Sequence, residues 1–552
     1  MIAEPDSLGE SPPPVARRRN LLLKLAPGGW RWDAGLRTAL AFGIPAGLLV
    51  ACGRASWALF VCFGAFAVMY GEGRAYRVRW RVISIAGAAL LGCVGVGIAV
   101  GANLPPAMAA WPVEIVVLTA IGVAGVYVID AARLGPPGVM FFLVACSGAL
   151  VAARSGIAAG GILIATALGV AGALVVSMAG RLIARDQPER LAVALAVREV
   201  DGYVGDHERG TASAARRHRA GEALWNAWAT VHDAGLPEGE SPLVAELLAA
   251  HERLAATAPV EDDEAPGEDA DPQGIPLARP TLGHRLRRSL NWSSHATVTS
   301  VRVLCACVAA GTVGGLIGST RPHWAILTAL IILQAGPDRV HGSARAVNRL
   351  IGTALGLGVF AALVQLRPSG FALVAVLAVL QFGVELFITR NYSLAAIFFT
   401  PVALLAGGAG AGGQAVGAVM RDRLGETAIG VVIALLALRF LLPDAHRRTL
   451  GWVDRRVRDG AQRLLDRLRT DPVDAPAAMA LRQDLQFELI GAMRAGVDSA
   501  HNDPGWTRPL WPAHARLQHA GYDLLAQCRT AGSGTRLPGI DRWERAFARP
   551  LG

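Results

Sequence analysis

"RPHWAILTALIILQAGPDRVHGSARAVNRLIGTALG", residues 321–356, sets out a Trp-led apolar run, a charged turn, and a second apolar run that opens on Gly352 and Gly356. Residues 54–92, "RASWALFVCFGAFAVMYGEGRAYRVRWRVISIAGAALLG", write the same order a second time. Apolar runs elsewhere are longer still. Residues 82–106 and 161–180 hold no charged side chain, and about 20 such residues cross a hydrocarbon core of roughly 30 Å. Over 552 residues, 53% are hydrophobic and 17% charged, a balance that a water-soluble core does not accommodate. An all-α integral membrane protein is therefore expected.

Twelve spans are expected in two blocks, at 35–53, 56–70, 82–101, 111–130, 137–153 and 157–180, and at 298–318, 323–336, 349–366, 371–389, 392–408 and 424–442. These give five regions: a tail (1–34), a first six-span half (35–180), a polar helical stretch (181–297), a second six-span half (298–442) and a polar helical C-terminal region (443–552). The apolar-period segments 188–204, 211–235, 446–470 and 477–497 read as helices of the polar regions. "VEDDEAPGEDADPQG", residues 260–274, reads as an acidic flexible linker. The first thirty residues lack the order of a cleaved signal, so the tail is expected to persist.

Arginine placement orients the chain. Putting both termini inside places Arg17–Arg19, Arg74, Arg77, Arg79, Arg81, Arg133, Arg339, Arg345, Arg349 and Arg390 on the cytoplasmic side, and leaves Arg54, Arg154, Arg321, Arg367, Arg421 and Arg423 outside. An even span count per half makes the halves parallel repeats related by a pseudo-two-fold axis. The segments 56–70 and 323–336 are short for a full crossing, and short segments at matching places in two halves point to a substrate route.

Lys24 is the sole lysine, which excludes a P-loop and a Schiff-base lysine. The arginine excess flanks the membrane and calls for no nucleic acid. Six of the seven cysteines fall in apolar runs, with no zinc or disulfide spacing. No metal, cofactor or catalytic constellation is expected, and the chain does not read as an enzyme.

An anionic substrate needs fixed positive charge. Arg37 and Arg302, at matching starts of the two halves, are candidates for a positive ring, with lipid snorkelling as the alternative. Arg339, Arg345 and Arg349 are candidates for a vestibule lining. Trp57 and Trp324, paired across the repeat, are candidates for stacking on an aromatic substrate, with interface anchoring as the alternative. Glu385, inside an apolar run, is the candidate for proton coupling; its alternative is an ion pair with Arg390 or Arg349. Asp422, Glu426 and Thr427, at the start of the last span, read equally well as helix caps or as substrate contacts, and Asn391 and Tyr392 as packing or hydrogen-bonding residues at the start of their own helix.

"HWAILTALIILQAG", "RLIGTALG", "NYSLAAIFFTPVALL" and "RDRLGETAIG" resemble the fusaric acid resistance protein-like (FUSC) family of bacterial inner-membrane transporters, which includes aromatic acid exporters. The resemblance covers the second half strongly and the first through the repeat. It implies efflux of small, aromatic carboxylate-like anions across a bacterial inner (plasma) membrane, with a periplasmic adaptor a common partner in Gram-negative members. The expected partners are thus the lipid bilayer and a small organic anion. One chain can complete a pore, or two can form a homodimer. Proton-driven export is the leading expectation; a passive anion channel and a membrane scaffold acting through its polar helices are the alternatives.

Overall fold

The computed structural model of the chain describes residues 10–14, 31–105, 111–236, 241–258, 275, 280–319, 321–406 and 416–548. Among these residues every regular element is helical. The first apolar block runs α1 (Trp32–Ala51), α2 (Ala55–Ala58), α3 (Val61–Ala65), a 3-10 segment (Phe66–Gly71), α4 (Tyr76–Asn103), α5 (Trp111–Ala132), α6 (Met140–Arg154) and α7 (Ala159–Ile183). Polar helices α8 (Gln187–Glu208), α9 (Ala214–Ala234), α10 (Pro242–Ala255) and α11 (Leu282–Ser289) follow. The second block is α12 (His295–Leu316), α13 (His323–Leu333), α14 (Arg339–Leu366), α15 (Gly370–Phe387), α16 (Tyr392–Ala406) and α17 (Val416–Phe440). Polar helices α18 (Ala445–Leu468), α19 (Pro476–Asn502), α20 (Pro504–Thr530) and α21 (Ile540–Ala548) complete it. The acidic linker and most of the N-terminal tail lie outside the described residues.

Of the twelve spans expected, two of them short for a full crossing, seven are full-length apolar helices among the described residues. Helices α1, α4, α5, α7, α12, α14 and α15 are long and apolar enough to cross a bilayer, and α17, bent by 58° into α18, makes an eighth. The second and fifth segments of each block (residues 55–71, α6, α13 and α16) are apolar but short. Hydropathy counts apolar residues and is blind to their geometry. Residues 55–71 break into two α-turns and a 3-10 segment that ends before Gly73 at φ +71°, while α13 stops after 11 residues, about 16 Å, just ahead of Gly336 at φ +111°. Large apolar residues such as Ile44, Ile85, Val116, Val175, Leu355 and Phe371 remain exposed along the long helices. Lipid is the solvent they fit, and the chain is a multi-pass membrane protein.

The two blocks use the same pairings. In the first, α4 packs on α6 and α7, and α7 also packs on α1 and α3; in the second, α14 packs on α16 and α17, and α17 on α12 and α13. Between blocks, α1 lies against α15 and α12 against α5, so each block's opening helix pairs with the other block's fourth segment. Gly87 of α4 and Gly352 of α14 meet different neighbours. A Cβ on Gly87 would meet Val170 of α7, whereas one on Gly352 would meet the Ser393 carbonyl of α16.

Two other glycines seat the short helices. A Cβ on Gly169 of α7 would lie 2.1 Å from the Val61 carbonyl oxygen, and one on Gly430 of α17 would lie 2.6 Å from that of Ala325. Both contacts are with backbone, which cannot rotate away. Gly169→Ala is therefore expected to cost roughly 3 kcal/mol or more through overpacking, read as a lower unfolding temperature in detergent. Gly95→Ala meets nothing within 4 Å and should leave that temperature unchanged.

The polar stretches expected as separate regions form one body. Helices α9 and α10 pack against α20, the Arg217 guanidinium lies 2.6 Å from Asp523, and the His218 ring nitrogen is 2.8 Å from the Tyr522 hydroxyl. Glu10 reaches in to accept the Ala214 backbone N–H at 2.8 Å. This body is tied to one end of the membrane blocks. Arg133 donates to the Phe487 carbonyl at 2.6 Å, Arg288 pairs with Glu488, and Asn502 accepts the Arg339 N–H at 2.9 Å. Below, that end is called the polar end and the opposite one the far end.

Candidate functional site

The four short segments converge. Between them, at the seam of the two blocks, is a cavity lined by Phe63 of α3, Phe66 of the 3-10 segment, Ser147 of α6, Trp324 of α13 and Phe399 of α16. Helices that stop short leave space at membrane depth, and backbone of this kind is tolerated only where protein buries it or a cavity borders it. Into the same space run three arginines: Arg321 just before α13, Arg349 about three turns into α14, and Arg423 two turns into α17.

Arg349 and Arg423 are each 1% exposed. The Arg423 guanidinium lies 4.6 Å from the Trp324 ring centroid and that of Arg321 lies 5.1 Å from it, so one indole sits between two cations. Arg349 stands 5.7 Å from the Phe399 ring and donates to the Tyr392 hydroxyl at 3.4 Å. Among the described residues, Nε and Nη1 of Arg423 and Nε of Arg349 find no hydrogen-bond acceptor. A guanidinium holds its charge even in a dry site, and an unmatched buried donor is costly. His323, also in the lining, has Nδ1 3.4 Å from an oxygen of the buried Glu114. The cavity thus offers positive charge and free N–H donors between aromatic walls. Its open volume is about 40 Å³, room for on the order of three waters, so a ring-sized guest requires the walls to part.

Of the residues singled out from sequence, Trp324 and Arg349 line this cavity. Trp57 packs against Gly161 beneath Arg54, whose guanidinium is 4.8 Å from the ring; Arg54–Trp57 and Arg321–Trp324 are the same motif in the two blocks, but only the second reaches the cavity. Arg37 and Arg302 do not meet in a ring. Arg37 pairs with Asp33 at 3.0 Å, while Arg302, 3% exposed, donates to the carbonyls of Leu441, Leu442 and Pro337 at 3.1, 3.0 and 3.4 Å. Arg339 likewise holds the Leu438 and Pro443 carbonyls, and Arg345 that of Ile332. Glu385 lies at the polar end, 3.2 Å from Arg31, which also pairs with Glu72.

Helix capping does not explain the 422–427 cluster. Helix α17 begins at Val416, so Asp422, Glu426 and Thr427 are interior, and the Thr427 hydroxyl donates to the Arg423 carbonyl at 2.7 Å. Asn391 does cap α16, accepting from the Ser393 and Leu394 N–H groups at 2.9 and 3.3 Å. Sequence reasoning missed Arg321, His323 and Arg423 as site residues. A usable signal existed for Arg423: Arg421, Asp422, Arg423 and Glu426 crowd one end of an otherwise apolar helix, denser than a membrane flank requires.

All three cavity arginines fall within one stretch that matches a known family. Residues 305–437 match the fusaric acid resistance protein-like family. The fusaric acid resistance-like segment covers α13 to α16 whole and most of α12 and α17, and leaves both polar regions outside. Over its greater length the chain is similar to a Bacillus subtilis (strain 168) protein described as "uncharacterized membrane protein YvaC", 24% identical over 555 residues that cover 90% of this chain and 85% of that one. No solved structure matches.

Proposed function

We propose that the protein exports small organic anions of the aromatic carboxylate type through the cavity between its two blocks, driven by the proton gradient across a bacterial inner membrane, with the polar body in the cytoplasm. One observation carries this reading: Arg349 and Arg423 hold N–H donors without acceptors beside the rings of Phe399 and Trp324. A carboxylate supplies the missing acceptors, and an aromatic ring attached to it stacks on the walls. The repeated helix pairings support two parallel repeats around that route. The fusaric acid resistance-like match supports transport as the activity.

Proton coupling is assigned to the pair of His323, which lines the cavity, and Glu114, 3.4 Å behind it, ahead of Glu385, whose carboxylate Arg31 already engages. A buried carboxyl that alternates between proton and imidazole partners couples the gradient to the charge state beside the anion. The test is uptake of labelled benzoate into inverted vesicles with and without an imposed pH gradient. Wild type should accumulate benzoate above equilibrium, and Glu114→Gln should lose accumulation about ten-fold while retaining benzoate–benzoate exchange. Equilibration that ignores the pH gradient and follows voltage would replace the carrier with a channel of the same architecture.

A further inference from the structure

A second cavity lies in the polar body, between α9 and α10 of the first polar stretch and α19 and α20 of the second. Its open volume is about 90 Å³, more than twice that of the membrane cavity. Trp225, Trp228 and Tyr522 form aromatic walls. Two helical regions encoded more than two hundred residues apart meet here without closing the space, between the two buried apolar clusters of the polar body.

The polar groups of this lining are unmatched in one consistent sense. Trp228 is 4% exposed and Arg482 2% exposed, yet the indole N–H of the first and Nε–H of the second have no acceptor among the described residues. The amide nitrogens of Gln483 and Gln486 and Nδ1 of His251 are also unpartnered. Burial, with Arg529 and Arg482 nearby, pushes the His251 imidazole down to about 3, so it is neutral and free to donate. Arg217 is neutralised by Asp523, but Arg482 has no ion pair among the described residues, and no Asp or Glu lines the cavity. Arg482 spends Nη1 on the Val473 carbonyl at 3.1 Å, and an excess of unmet donors around this cation, between flat aromatic walls, is a site for a planar anion.

We infer that this cavity is a binding site for a small aromatic carboxylate, separate from the membrane route, with Arg482, Gln486 and Trp228 holding the carboxylate and Trp225 and Tyr522 flanking the ring. The site is also wired to the membrane. Gln486 precedes Phe487 and Glu488, which take the Arg133 and Arg288 contacts from the membrane blocks. Occupancy by a cytoplasmic anion therefore stiffens the segment of α19 on which the membrane blocks rest, and links transport to the concentration of the compound to be removed.

The test is equilibrium dialysis of the full-length, detergent-solubilised protein against labelled benzoate. Two sites per chain are expected. Arg482→Gln should leave one, and Gln486→Leu, which keeps the volume and removes a donor, should weaken that same site about five-fold without lowering the unfolding temperature. Arg423→Gln should remove the other site. A single site lost in Arg482→Gln and untouched by Arg423→Gln would sustain this inference while removing the membrane reading. Binding unchanged in both Arg482→Gln and Gln486→Leu would overturn it.

Discussion

Arg423→Leu is expected to abolish anion flux and to raise the unfolding temperature. The two effects have one cause. Arg423 is buried, the Trp324 ring lies 4.6 Å from its guanidinium, and two of its nitrogens lack acceptors among the described residues. Leaving such donors unmet costs roughly 1–3 kcal/mol each site, and replacing an uncompensated buried charge by an apolar residue of similar reach is often stabilising. Like charge adds to the cost, since Arg349 and Arg321 line the same small volume. A residue that weakens the fold and is satisfied only when an anion arrives belongs to the function. The expected result is a gain of about 2–5 °C in detergent together with a fall in benzoate flux of about a hundred-fold, the loss of roughly two charge-assisted hydrogen bonds. A variant less stable than wild type would show that Arg423 has a partner in the resting protein.

Arg302→Ala should behave in the opposite way. Arg302 bridges α12 to the Leu441–Leu442 corner between α17 and α18 and to the loop at Pro337; Leu442 also accepts the Ala445 N–H and Pro337 the Asn502 side-chain amide, while Leu441 is held by Arg302. Leu442 itself adopts φ +53°, a left-handed backbone that needs outside support. Removal of the guanidinium leaves the Leu441 carbonyl without its donor and unties α12 from that corner, which should cost roughly 1–3 kcal/mol, seen as a lower unfolding temperature and poor recovery from the membrane. Arg302→Lys, which reaches one carbonyl, should recover part of the stability. A positive ring around a pore would give the reverse pattern, with a normal unfolding temperature and lost flux.

The contrast between these two arginines marks how far the sequence could be read. Charge-free windows declare a membrane helix because lipid admits little else, so the all-α membrane class was legible. So was the shortness of residues 55–71 and of α13. The shortness of α6 was not, since its apolar run takes in the turn before Met140, which hydropathy scores as span. Arg302 and Arg423 both stand near the end of an apolar run, and local pattern treats them alike. Only packing distinguishes them: α17 starts at Val416 and carries Arg423 inward, while the end of α17 folds back over Arg302. Arg31 and Glu385 lie 354 positions apart, and no spacing rule links them. Trp324 and Arg349 were identifiable because both stand in the segment written twice, and the cavity formed where that segment is too short to cross.

The most direct measurement is thiol labelling at Ser147, a cavity residue of α6, in a chain whose seven native cysteines are replaced and Ser147→Cys introduced. During turnover, an anionic thiol reagent should modify this position about ten-fold faster than a cationic one of equal size, as a positively charged cleft concentrates anions, and benzoate should protect it. Labelling indifferent to reagent charge and to benzoate, in protein that still moves benzoate, would contradict passage of the anion between the two blocks.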